Sequence, residues 1–148
     1  MKTLLLLTTV AAAAALALPA SSMSEPFTPS ASTLTAKSSR FGKVLFDGRG
    51  FALYAFTRDP RGKSACYGAC ANAWPPYFAS AQLRAGAGVT RSLVGTTRRR
   101  DGRRQVTYAG RPLYYYVGDR NPGDIFCQNV DEFGGLWLVV RPNGKPVR

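Results

Sequence analysis

Leu53-Tyr54-Ala55-Phe56-Thr57-Arg58-Asp59 and, further along the chain, Leu113-Tyr114-Tyr115-Tyr116-Val117-Gly118-Asp119 are two copies of one pattern, Tyr-x-aromatic-x-x-Asp. In a strand, side chains two apart share a face. Tyr54 and Phe56 therefore point the same way, as do Tyr114 and Tyr116. Asp59 and Asp119 fall where each strand runs into a turn, and a carboxylate there can cap the turn by hydrogen bonds. The preferred reading is structural, with aromatic rings filling a core and each Asp holding a turn. The alternative is a paired aromatic and acidic ligand site for a sugar or a cation.

Working outward, the similarity extends into an internal repeat. Val44, Phe46, Gly48 and Arg49 precede the first motif, and Val106, Tyr108, Gly110 and Arg111 precede the second, the first copy being two residues longer inside the hairpin. Downstream, Gly62 pairs with Gly123, Cys66 roughly with Cys127, and Trp74 with Trp137. Apolar runs at 44–46 and 51–56 flank Asp47-Gly48-Arg49-Gly50, which predicts a hairpin. Residues 92–97 and 105–108 predict a second, whose tip Arg98-Arg99-Arg100-Asp101-Gly102-Arg103-Arg104 carries an Asp-Gly turn. Further strands are expected at 113–117 and 136–140, the last closed by Pro142-Asn143-Gly144. Ser64 is expected to cap a short helix over 66–72, ended by Trp74-Pro75-Pro76. The Ala- and Gly-rich stretch 79–91 reads as a loop. The expected fold is all-β: one compact domain over 41–148, made of two short β-hairpin repeats (about 42–78 and 92–144), with one short helix after the first repeat.

The start of the chain has the features of a secretory signal over 1–20. Lys2 supplies a positive start, residues 4–17 an apolar run, and Ala15-Leu16-Ala17 or Leu18-Pro19-Ala20 a small-residue cleavage site. No Cys follows the run, so a lipid anchor is not expected, and no membrane-spanning segment is expected once the signal is removed. Residues 21–40, rich in Ser, Thr and Pro, read as a flexible tether. The expected location is secreted, periplasmic or cell-envelope.

Lys and Arg number 20 against 8 acids, a net charge of +12. Such a field favours anionic partners, here an envelope polymer or a lipid surface. The absence of His excludes His triads, His general bases and His metal or haem ligands. No cofactor is expected. Three cysteines, Cys66, Cys70 and Cys127, imply one disulfide and one thiol in an oxidising compartment. The pairing is open: a bond from the 66–70 segment to Cys127 would tie the repeats together, and a local Cys66–Cys70 bond is the close rival. Arg98, Arg99, Arg100, Arg103 and Arg104 form either a solvated hairpin tip or a polyanion patch. No aromatic-plus-basic strip with single-strand-binding spacing is visible, so specific nucleic acid is not expected. Asp124, Asp131 and Glu132 precede the last strand, but nothing in the sequence sets their separation for glycosidase work.

Given these motifs, the chain resembles the bacterial secreted-repeat proteins, often lipoproteins, that share a Tyr-x-(Phe/Trp/Tyr)-x-x-Asp motif and have no established function. Tyr54, Phe56 and Asp59, and Tyr114, Tyr116 and Asp119 carry the likeness. So do Cys66-Tyr67-Gly68-Ala69-Cys70 leading to Trp74-Pro75-Pro76, and Gln105-Val106-Thr107-Tyr108 leading to Pro112-Leu113-Tyr114. It covers about 41–144 and implies architecture and export, but no reaction. Two departures are the missing lipid-attachment Cys and Cys127, which stands where the commoner pattern has a Gly-rich loop. The functional expectation is a non-catalytic exported binding or structural protein. A redox-active thiol protein and a carbohydrate-binding or carbohydrate-active module are the alternatives.

Overall fold

The computed structural model describes residues 31–148; the expected signal peptide and residues 21–30 of the expected tether lie outside them. The described residues form nine short strands, one short α-helix and a 3-10 turn at Arg91–Leu93. β1 (Ser32–Ser39), β2 (Gly42–Asp47) and β4 (Leu83–Ala85) make one sheet, in the order β2-β1-β4. β3 (Tyr54–Phe56), β9 (Gly135–Val139) and β8 (Val130–Glu132) make a second, in the order β3-β9-β8. β5 (Val94–Arg98), β6 (Arg104–Tyr108) and β7 (Arg111–Pro112) make the third. The all-β expectation with one short helix holds, and the expected second hairpin is β5–β6. Of the hairpin expected between 44–46 and 51–56 only the bridge Phe46–Ala52 forms, because β2 pairs with β1 and β3 with β9. Among the described residues no helix is long and apolar enough to cross a membrane.

Several local expectations are corrected. Residues 32–39 are not part of a tether: they form β1, antiparallel to β2 and parallel to β4. Leu34 is fully buried, which shows why a Ser/Thr-rich segment holds here: β1 is the central strand, paired on both sides, and one Leu anchors it in the core. The loop expected over 79–91 contributes β4. Residues 113–117 do not form a continuous strand; β7 is short and Tyr114 makes isolated bridges to Tyr54 and Pro76. The helix α1 spans Ala69–Ala73 with Gly68 as its N-cap, and no side chain caps it. Ser64 instead faces Tyr114 and Arg99.

The runs 44–46 and 51–56 are apolar throughout because both faces are covered. Val44, Phe46, Tyr54 and Phe56 enter one core cluster, while Leu45, Leu53 and Ala55 enter the other. Hydrogen bonds define how the repeats correspond. Leu53 N–H donates to the Leu45 carbonyl and Leu113 N–H to the Val106 carbonyl. Leu45 therefore matches Val106, one position away from the pairing of Val44 with Val106 expected from sequence. The first copy is one residue longer, not two.

The repeats are interlocked. The end of repeat 1 pairs with repeat 2: Tyr77 N–H donates to the Leu113 carbonyl and Val106 N–H to the Tyr77 carbonyl. The end of repeat 2 pairs with repeat 1 through β3–β9, and Leu45 N–H donates to the Val140 carbonyl. Two turn glycines take part in the same exchange. Gly62 N–H donates to the Gly110 carbonyl and Gly123 N–H to the Gly50 carbonyl. Gly50 and Gly110 have φ of +98° and +74°, where a side chain is strained.

Candidate functional site

The motif residues meet at the interface between repeats. Tyr54 N–H donates to the Tyr114 carbonyl, and Tyr114 N–H to the Tyr54 carbonyl. Their hydroxyls then cross over. Tyr54 donates to Asp119 Oδ2 at 2.6 Å and Tyr114 to Asp59 Oδ2 at 2.7 Å. The other oxygen of each Asp holds its own turn: Asp59 accepts from Ala65 N–H, and Asp119 from Phe126 N–H. Each Asp thus caps a turn, as expected, and also receives the Tyr of the other repeat. Burial raises the Asp59 carboxyl to about 6 and raises that of Asp119. It also pushes both phenols above their ordinary range.

The rings stack in a column across the same interface. Phe56 lies 4.2 Å from Trp137, Trp137 lies 4.0 Å from Trp74, and Trp74 lies 4.7 Å from Tyr116. Trp74 and Trp137 are fully buried. Trp74 Nε1 donates to Glu132 Oε2 and Trp137 Nε1 to the Glu132 carbonyl. Glu132 therefore satisfies the indoles, and Asp124 accepts from the backbone N–H groups of Arg120 and Asn121. These acids serve the fold. The aromatic motif fills the core and leaves no ring face open as a sugar platform at Tyr54, Tyr114, Trp74 or Trp137.

The disulfide is Cys66–Cys70, and Cys127 is free. The bond from the 66–70 segment to Cys127 that would tie the repeats together does not form; the local rival does. The short loop it closes contributes about 2 kcal/mol in the chain-entropy model. Burial pushes the Cys127 thiol up, the opposite of what a reactive thiolate needs.

The arginine tip divides. β5 and β6 place Arg98 opposite Arg104, and these two, with Arg100 and Arg103, are exposed. Arg99 is 5% exposed. Its guanidinium donates to Ser64 Oγ, Gln105 Oε1 and the Cys66 carbonyl, each at 2.7 Å. Arg99 is a structural strut and not part of an exposed patch. Two rings steady the tip. Tyr67 lies under Arg99 at 4.3 Å and under Arg100 at 4.0 Å, and Phe78 lies under Arg103 at 3.7 Å. Sequence spacing did not reveal this basic–aromatic surface, because its rings come from residues remote from the tip. Of the four exposed guanidinium groups, Arg103 alone pairs with a carboxylate among the described residues, that of Asp101.

The model of a family described as a secreted repeat of unknown function, Lipoprotein_15, matches residues 35–77 and 95–141. Each match starts inside the first strand of a hairpin and runs past its aromatic motif and its Trp. No curated protein and no solved structure is significantly similar to the chain. Two matched copies, together more than half of the sequence, show that the chain belongs to this family of secreted repeats of unknown function.

Proposed function

We infer that this secreted repeat protein is a non-catalytic binding protein that holds an anionic polymer of the envelope or its surroundings through the tip of the β5–β6 hairpin. The observation that carries the reading is the exposed set Arg98, Arg100, Arg103 and Arg104 on a tip braced by buried Arg99, Tyr67 and Phe78. Like charges directly opposite in a hairpin are unfavourable, so an anion at Arg98 and Arg104 relieves a standing repulsion. Guanidinium groups suit bidentate contact with phosphate, sulfate or carboxylate. Holding them in place lowers the ordering cost of binding.

The test is retention on an anionic wall polymer and on a heparin-like matrix as salt is raised. Each neutralised charge releases counterions, so affinity falls steeply with salt. Arg98, Arg100 and Arg104 are changed together to Ser. Arg84, Arg91 and Lys145, exposed elsewhere, are changed together as the control. The expected result is a selective loss of affinity and of salt slope in the tip variant. Equal losses in both would reduce the tip to part of a generally basic surface.

A further inference from the structure

A cavity of about 460 Å³ lies between the β1–β2 hairpin and residues 122–126. It has a counterpart in the other repeat, and that counterpart is shut. There, the Thr97 hydroxyl donates to the Gly62 carbonyl, and Arg99 spans to Ser64 and Cys66. On the open side, Arg40 reaches across, donating to the Ile125 carbonyl. The β1–β2 tip is shorter than the β5–β6 tip, so it cannot fill the space beneath it.

Phe46 and Ile125, 2% and 4% exposed, line the cavity, and Phe126 stands at it 62% exposed. Pro122 adds apolar wall. The charge in it is cationic. Lys37 is exposed and has no ion-pair partner among the described residues, and its ammonium lies beside the Gly50 turn that lines the cavity. The one acid in the lining, Asp124, is engaged by the backbone of its own turn. The volume falls in the range of small-molecule sites, and the combination of apolar wall with two cations that lack a carboxylate partner among the described residues, Lys37 and the Ile125-bound Arg40, sets the chemistry.

We propose that this cavity binds a small amphiphile with a single acidic head and a hydrocarbon body, its head on Lys37 and its body against Phe46, Ile125 and Phe126. A polar body would leave its own hydrogen-bonding groups facing apolar wall, which is costly. A neutral ligand would forgo Lys37. The site is separate from the arginine tip, so its failure and the failure of the polymer reading are distinguishable.

The experiment uses octanoate as probe and octan-1-ol as its neutral analogue, measured by titration calorimetry on the mature chain. Octanoate is expected to bind, and octan-1-ol to bind at least about tenfold more weakly, since a hydrogen bond to a charged group is worth that much or more. Lys37→Met and Phe126→Ser should each weaken octanoate by about tenfold with an unchanged urea midpoint, because both side chains are exposed. The triple Ser variant of the tip should bind it normally. No heat with octanoate, equal binding of octan-1-ol, or an equal loss in the tip variant overturns the proposal. So does binding to vesicles of anionic phospholipid that is lost in Lys37→Met while free octanoate is ignored, since that would make the face a membrane contact.

Discussion

Two residues show how burial rewrites a side chain's role. Arg99 sits in a run of arginines that looks uniformly solvated, yet it makes three hydrogen bonds inside the protein. Arg99→Ser leaves those acceptors without a donor and should cost on the order of 3 kcal/mol in urea unfolding. Arg98→Ser, at an exposed site, should stay within about 0.5 kcal/mol. Asp59 gives a pH signature. Its folded carboxyl lies at about 6, against about 4 in an unfolded chain. Between those values the native state holds a proton that the unfolded state has released. Its contribution to stability is therefore greatest below about pH 4 and declines as pH rises to about 6. Asp119, also raised, adds the same sign. Asp59→Asn should remove on the order of 2 kcal/mol of this decline, read from denaturation midpoints across the interval.

At the scale of elements, short strands hold because the repeats exchange partners. The helix is five residues and β3 is three, neither stable alone. The crossed hydroxyl bonds, Tyr54 to Asp119 and Tyr114 to Asp59, fasten one repeat to the other beside the stacked indoles. Tyr54→Phe keeps the ring and strips Asp119 Oδ2 of its donor, so it should cost about 1–3 kcal/mol by urea unfolding. Tyr114→Phe should cost a similar amount. If both together cost no more than one, the two bonds act as a single coupled lock.

At the scale of the whole molecule, interlocking makes the two repeats one cooperative unit. Residues 31–90 alone contain Trp74 and Tyr77 but lack Trp137, Leu113 and Val140, on which these side chains and backbone groups depend. That fragment should be unfolded by circular dichroism. The described chain 31–148 should unfold in one transition, with tryptophan fluorescence and far-ultraviolet signals coincident. Two separate transitions would mean that the repeats are independent.

The repeat, the all-β class, the β5–β6 hairpin and the burial of Tyr54 and Tyr114 are legible from composition and pattern, because alternation, turn residues and aromatic spacing are local properties, whereas the partner of β2 is β1 and not the run 51–56. The same local view misplaced 32–39, whose few large apolar residues hid a strand stabilised by its neighbours on both sides. It also misjudged the disulfide. Cys66 and Cys70 are brought together by the turn into α1, a matter of three-dimensional path rather than of spacing. Arg99 was grouped with its exposed neighbours, because burial there depends on Ser64, Cys66 and Gln105 converging on it. The open cavity beside Lys37 lies under the shorter of the two hairpin turns, 40–41 against 99–103, in two interlocked repeats. Such features depend on which distant segments meet, and only the packing of the complete domain decides that.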